Sequence, residues 1–137
     1  MIKPIFVFSL PRSGSTLLQK IVARHSEVKT VSEPWILLPI AGMLGSENID
    51  EYSNYSVNSQ KIALHDLLDE LKDESIDLEK EFGLFIKSLY GELCKKNGEK
   101  YFLDKTPRYY LIIDEIARMF PDAKFIHIYR NPYKVYL

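Results

Sequence analysis

The hydrophobic positions of this chain fall into short continuous runs and longer stretches of helical period, and the changes between the two mark out its elements. Ile5 to Phe8 is a continuous apolar run between Pro4 and Pro11, as expected of a strand buried on both faces in a parallel sheet. Thr16 to His25 changes period. Leu17, Leu18, Ile21 and Val22 share one helical face while Gln19, Lys20 and Arg24 share the other, so the pattern predicts an amphipathic helix packed through its leucine side. Val28 to Val31 reads as a second short strand, completing a β-α-β unit.

Residues 46–59 are polar and without period, which predicts a surface loop or insertion. Helices are expected next at Gln60 to Lys72 and Asp77 to Lys96, the second with Phe82, Phe85, Ile86, Leu89 and Leu93 on its buried face. Asp77 is placed to cap it and Gly98 to stop it. Tyr101 to Leu103 reads as a strand, Tyr109 to Phe120 as a helix offering Ile112, Ile113, Ile116, Met119 and Phe120, and Lys124 to Tyr129 as a last strand. Strand, helix and strand recur at both ends. The expected fold is α/β: three layers, with helices flanking an open, mostly parallel sheet with right-handed crossovers.

Composition limits the function. With 137 residues and 46% hydrophobic content, the chain suits one soluble domain with one core. Its net charge of −1 gives no basis for a nucleic-acid partner, whose basic stripe would dominate the balance. The spread is uneven: residues 46–98 carry twelve acids and six bases, the remainder seven acids and twelve bases. An anion site must therefore be local. The single cysteine, Cys94, forms no intrachain disulfide and no metal-ligand cluster, and reads as a core residue in a reducing compartment. The apolar run before Pro11 is too short for a signal peptide or membrane span, so a cytoplasmic location without a membrane segment is expected.

Three polar segments each follow an expected strand: Pro11 to Thr16, Asp104 to Arg108 and Arg130 to Pro132. In an open parallel sheet such segments converge on the rim where ligands bind. The first joins a strand to a helix N-terminus, where unpaired N–H groups and the helix dipole attract anions. Gly14 permits close backbone approach, Ser13, Ser15 and Thr16 supply hydroxyls, and Arg12 supplies a fixed cation. Against the ATP-binding pattern GxxxxGK[ST], Gly14 and Thr16 match, but Ser9 stands for the first glycine and Ser15 for the lysine. A plain strand-to-helix turn with an exposed arginine is the competing reading.

The segment "PRSGSTLL" resembles the 5′-phosphosulfate loop of sulfotransferases that use 3′-phosphoadenosine 5′-phosphosulfate (PAPS). "FPDAKFIHIYRNP" is similar to the second cofactor segment of that family, and "LDKTPRYY" to the Lys-Thr/Ser-Pro segment of its carbohydrate and tyrosyl-protein branches. The resemblance implies a P-loop NTPase-like fold and metal-free sulfuryl transfer from PAPS to an acceptor hydroxyl or amine, on a carbohydrate, a peptide tyrosine or a small molecule. It implies that Arg12, Ser13, Gly14, Ser15 and Thr16 hold the 5′-phosphosulfate, Arg130 the 3′-phosphate, and that Lys105 stabilises the leaving group or transition state. Asn131 and Pro132 would shape the turn after Arg130.

An acceptor hydroxyl needs a base within reach. Glu33 in "TVSEPW" follows the second expected strand, and the resemblance supports it in that role. A surface carboxylate before a proline turn is the alternative for Glu33, and a solvated lysine the alternative for Lys105. Arg108 could meet an acidic acceptor, Trp35 reads as an interior aromatic ahead of a cleft-lining one, and His25, His65 and His127 are weaker candidates. The family serine that shares the 3′-phosphate would fall past Leu137, so residues 1–137 are expected to form the N-terminal portion of an incomplete sulfotransferase domain with weak or no activity alone. Two other readings remain open: a non-catalytic nucleotide- or phosphate-binding module of the same fold, and a P-loop kinase or NTPase.

Overall fold

A computed structural model describes residues 2–45 and 64–131. Among the described residues four strands, β1 (Lys3–Ser9), β2 (Val28–Thr30), β3 (Tyr101–Asp104) and β4 (Lys124–Ile128), form one sheet in the order β2-β3-β1-β4. Every pairing is parallel, with Phe6 opposite Asp104 on one side and opposite Phe125 on the other. All four strands therefore end on the same rim. The apolar run of β1 is central, as its lack of polar alternation requires. The expected unit of β1, helix and β2 is opened by β3, which lies between the two strands.

Helices cover both faces. On one, Ile5, Val7 and Leu103 meet Leu18 and Val22 of α1 (Ser15–Val22). On the other, Phe6, Phe8 and Phe102 pack under α2 (Leu37–Met43), α4 (Leu78–Lys95), a 3-10 turn (Tyr109–Ile112) and α5 (Ile113–Met119). The α/β expectation with three layers holds. Helix α3 (His65–Asp73) begins inside the expected Gln60 to Lys72 helix and ends one residue past it; the first residues of that expected helix, the 46–59 loop and Pro132 lie outside the described residues, and the expected last strand ends at Ile128, one residue short of Tyr129.

Two helices are rotated from their hydrophobic pattern. In α1, Gln19 is buried and Leu17 is 65% exposed, because the Gln19 amide donates to Thr30 Oγ1 and to the Val31 carbonyl, both at 2.8 Å. A polar side chain with such partners satisfies its burial cost. In α4 the inward residues are Gly83, Ile86, Tyr90 and Cys94, whereas Phe85, Leu89 and Leu93 are exposed. Gly83 explains this turn of the helix. A Cβ there would overlap the Met119 carbonyl oxygen, so the missing side chain lets α4 lie directly against the end of α5. The Asp77 carboxylate caps α4 by accepting the Lys80 N–H at 3.1 Å. Tyr109 to Phe120 is split between the 3-10 turn and α5, and α2, with a proline in its first turn, has no counterpart in the pattern reading.

Candidate functional site

The loop between β1 and α1 turns on two left-handed residues, Arg12 (φ 65) and Gly14 (φ 93). Gly14 is the N-cap of α1, and its carbonyl accepts the N–H groups of Leu17 and Leu18 at 3.0 and 3.1 Å. Among the described residues, and its chain neighbours aside, no atom lies within 4 Å of where its Cβ would be, so the requirement for glycine is conformational. The N–H groups of Ser15 and Thr16 begin the helix without partners one turn back. The Arg12 side chain is exposed beside them, and the Arg12 carbonyl accepts Arg130 Nη1 at 3.1 Å, tying the end of β4 to the loop.

Lys105, one residue beyond β3, is the centre of the rim. Its ammonium donates to Glu33 Oε1 at 2.5 Å and to Thr16 Oγ1 at 3.4 Å. The lysine side chain is 3% exposed and the glutamate 31%, so the pair has a dry side and a wet side. An almost fully buried ammonium requires such a partner. The solvated-lysine reading is thereby corrected. The other carboxylate oxygen, Glu33 Oε2, accepts the Trp35 indole N–H at 3.3 Å. Trp35 is 40% exposed on the rim and not the interior aromatic expected; its backbone is left-handed (φ 58) and its indole lies beside Glu33.

Beneath this surface lies a cluster with no counterpart in the motif reading. Asp104, the last residue of β3, is wholly buried. Its Oδ2 accepts the hydroxyls of Tyr90 at 2.6 Å and Tyr109 at 3.2 Å, and its Oδ1 accepts the Thr106 hydroxyl at 3.1 Å. Burial pushes the carboxyl up to about 6, against the three hydroxyl donors and the Lys105 charge, which favour its ionised form. Burial, followed by the Asp104 charge, holds the hydroxyls of Tyr90 and Tyr109 well above the usual phenol range. Thr106 Oγ1 in turn accepts the Trp35 backbone N–H at 3.4 Å, and the Tyr109 hydroxyl accepts that of Leu37 at 3.3 Å.

The rim thus brings together Arg12, Ser13, Gly14, Ser15, Thr16, Glu33, Lys105 and Arg130, from the ends of all four strands. Arg108 lies further along the Lys105 segment, and His25 and His127 are exposed away from these contacts. Asp104 stands inside the quoted segment "LDKTPRYY", where the sequence shows only an acid directly after an apolar run; its burial and its partners are visible in the structure alone. Tyr90 comes from a helix with no motif.

The profile of the Sulfotransferase family matches residues 4–137. Nodulation protein NoeE of Sinorhizobium fredii (strain NBRC 101917 / NGR234) is 26% identical over 130 residues, which cover 95% of this chain and 29% of that protein. An uncharacterized protein of Aquifex aeolicus (strain VF5) is 27% identical over 135 residues, covering 94% of this chain and 16% of that protein. The chain spans less than a third of the length of these curated relatives.

Proposed function

Because the chain belongs to the Sulfotransferase family, we propose that it binds PAPS at the β1–α1 loop and transfers the sulfuryl group to an acceptor hydroxyl or amine. The observation that carries this reading is the position of Lys105 Nζ, in contact with both Thr16 of the loop and Glu33. The residues present fit the donor: an open glycine turn, the free first-turn N–H groups, three neighbouring hydroxyls and an exposed guanidinium suit a phosphosulfate.

PAPS supplies a sulfuryl group bonded to a phosphate leaving group. In the proposed reaction the loop N–H groups and Arg12 hold the 5′-phosphate and sulfonate oxygens, while Arg130 meets the 3′-phosphate. Lys105 turns from Glu33 to the bridging oxygen, where negative charge grows as the sulfur–oxygen bond breaks. Glu33, released on that side, takes the proton of the acceptor as its oxygen or nitrogen bonds to sulfur. Adenosine 3′,5′-bisphosphate leaves.

Transfer of labelled sulfate from PAPS to a panel of carbohydrate, peptide and small phenolic acceptors tests the proposal. Activity abolished in Arg12→Ala and Lys105→Ala is expected. Binding of adenosine 3′,5′-bisphosphate without transfer to any acceptor would instead favour a nucleotide-binding module, and magnesium-dependent ATP hydrolysis an NTPase.

A further inference from the structure

Resting on the reading of Glu33 and Lys105 above, we propose that Asp104 is a positioning residue: through Thr106 and Tyr109 it fixes the strap from Glu33 to Leu37 against the Lys105 segment, so that base and cation meet in one geometry. The carboxylate draws hydroxyls from helix α4, from the 3-10 turn and from the Lys105 segment itself. Two of them have a second bond. Each hydroxyl has one hydrogen, and the Thr106 and Tyr109 hydrogens are committed to Asp104. Their lone pairs are left facing the strap, where they take the N–H groups of Trp35 and Leu37. The strap is thus pinned at two points immediately after Glu33, and the residue that orients both pins precedes Lys105 in the chain.

The arrangement accounts for the otherwise costly burial of a carboxylate at a strand end. It also accounts for the left-handed Trp35, a conformation that persists only where its surroundings over-determine it. The backbone N–H is held by Thr106 and the indole N–H by Glu33, so the ring and the carboxylate are set by the same clamp.

Trp35 is the sole tryptophan of the chain, which makes the strap directly observable. Emission maximum and anisotropy are measured on the intact chain for the wild type, Thr106→Val and Thr106→Ser, with circular dichroism reporting the fold. Thr106→Val is expected to shift the emission to the red and lower the anisotropy, and Thr106→Ser to restore both. Tyr109→Phe, which keeps the ring and removes only the oxygen between Leu37 and Asp104, is measured alongside and shifts in the same direction. In the transfer assay kcat falls by about a hundredfold in Thr106→Val with the donor KM little changed, the size expected when reacting groups are displaced by an ångström. A role confined to stability lowers the melting temperature and leaves emission and kcat of the folded variants at wild-type values, and that result overturns the proposal. A wild-type chain without transfer activity counts against the function proposed above, while the fluorescence comparison still decides whether the two hydroxyls that Asp104 orients hold the strap.

Discussion

Removing one hydroxyl, in Tyr90→Phe, separates the charge of Asp104 from its packing. The Tyr90 ring is stacked on Phe102 with centroids 4.0 Å apart, and that contact survives the substitution. What is lost is a 2.6 Å bond to a carboxylate whose folded-state value, about 6, lies above its ordinary 3.8. The native state therefore holds this proton more tightly than the unfolded chain. Stability from this group is complete below about pH 4 and is lost as pH rises through 6, a total of about 3 kcal/mol from the two values. The Tyr90 hydroxyl favours the ionised form, so its removal raises the Asp104 value further and enlarges the loss on the alkaline side. At pH 8 the variant forfeits a hydrogen bond to a charged acceptor, about 1.5–3 kcal/mol; at pH 5, where the native carboxyl is protonated, it forfeits a neutral one, about 0.5–1.5 kcal/mol. Urea unfolding of wild type and variant at both pH values measures the difference, and groups unaffected by the substitution cancel. The variant is expected to be more strongly destabilised at pH 8, by about 1 kcal/mol. An equal loss at both pH values, or a larger one at pH 5, would refute the assignment of Asp104 as the buried charge that Tyr90 stabilises.

Glu33→Gln is expected to retain adenosine 3′,5′-bisphosphate binding, read by calorimetry, while sulfate transfer falls by about 10²–10⁴-fold, the usual contribution of a general base; unchanged kcat would remove Glu33 from the chemistry. Gly83→Ala places a methyl group on the Met119 carbonyl and is expected to destabilise by about 1–3 kcal/mol in urea unfolding, outweighing the gain in helix propensity. Cys94 is buried, and burial raises its thiol value, so a thiol reagent at pH 8 is expected to label it in urea and not in the native chain. Equal labelling rates would contradict that burial.

The rim was legible in the sequence because each of its segments announces itself twice, by residue type and by following an apolar run. Parallel pairing of the strands did the rest, bringing Thr16, Glu33 and Lys105 into contact from three separate strand ends. What the pattern could not supply is which side of a helix faces inward when small or polar groups make the closest contacts. Gln19 reads as solvent-facing until its partners on Thr30 and Val31 are known. Gly83 adds nothing to a hydrophobic count, yet it lets α4 approach α5 and sends Phe85 outward. Asp104 is hidden for the same reason: its meaning lies in three hydroxyls, of which Tyr90 belongs to a distant element. A proline and a glycine inside Leu37–Met43 mask a helix held by burial of Leu37, Leu38 and Ile40.

Arg12 and Trp35 share a backbone region that side-chain-bearing residues adopt at a cost of about 1–2 kcal/mol each. Glycine at either position would relieve that cost and remove the guanidinium or the indole that the rim presents. Heat resistance and chemistry thus pull in opposite directions at two specific codons. A library of variants at positions 12 and 35 sorted for thermal survival alone should drift toward glycine, and the same library sorted for sulfate transfer should hold arginine at position 12.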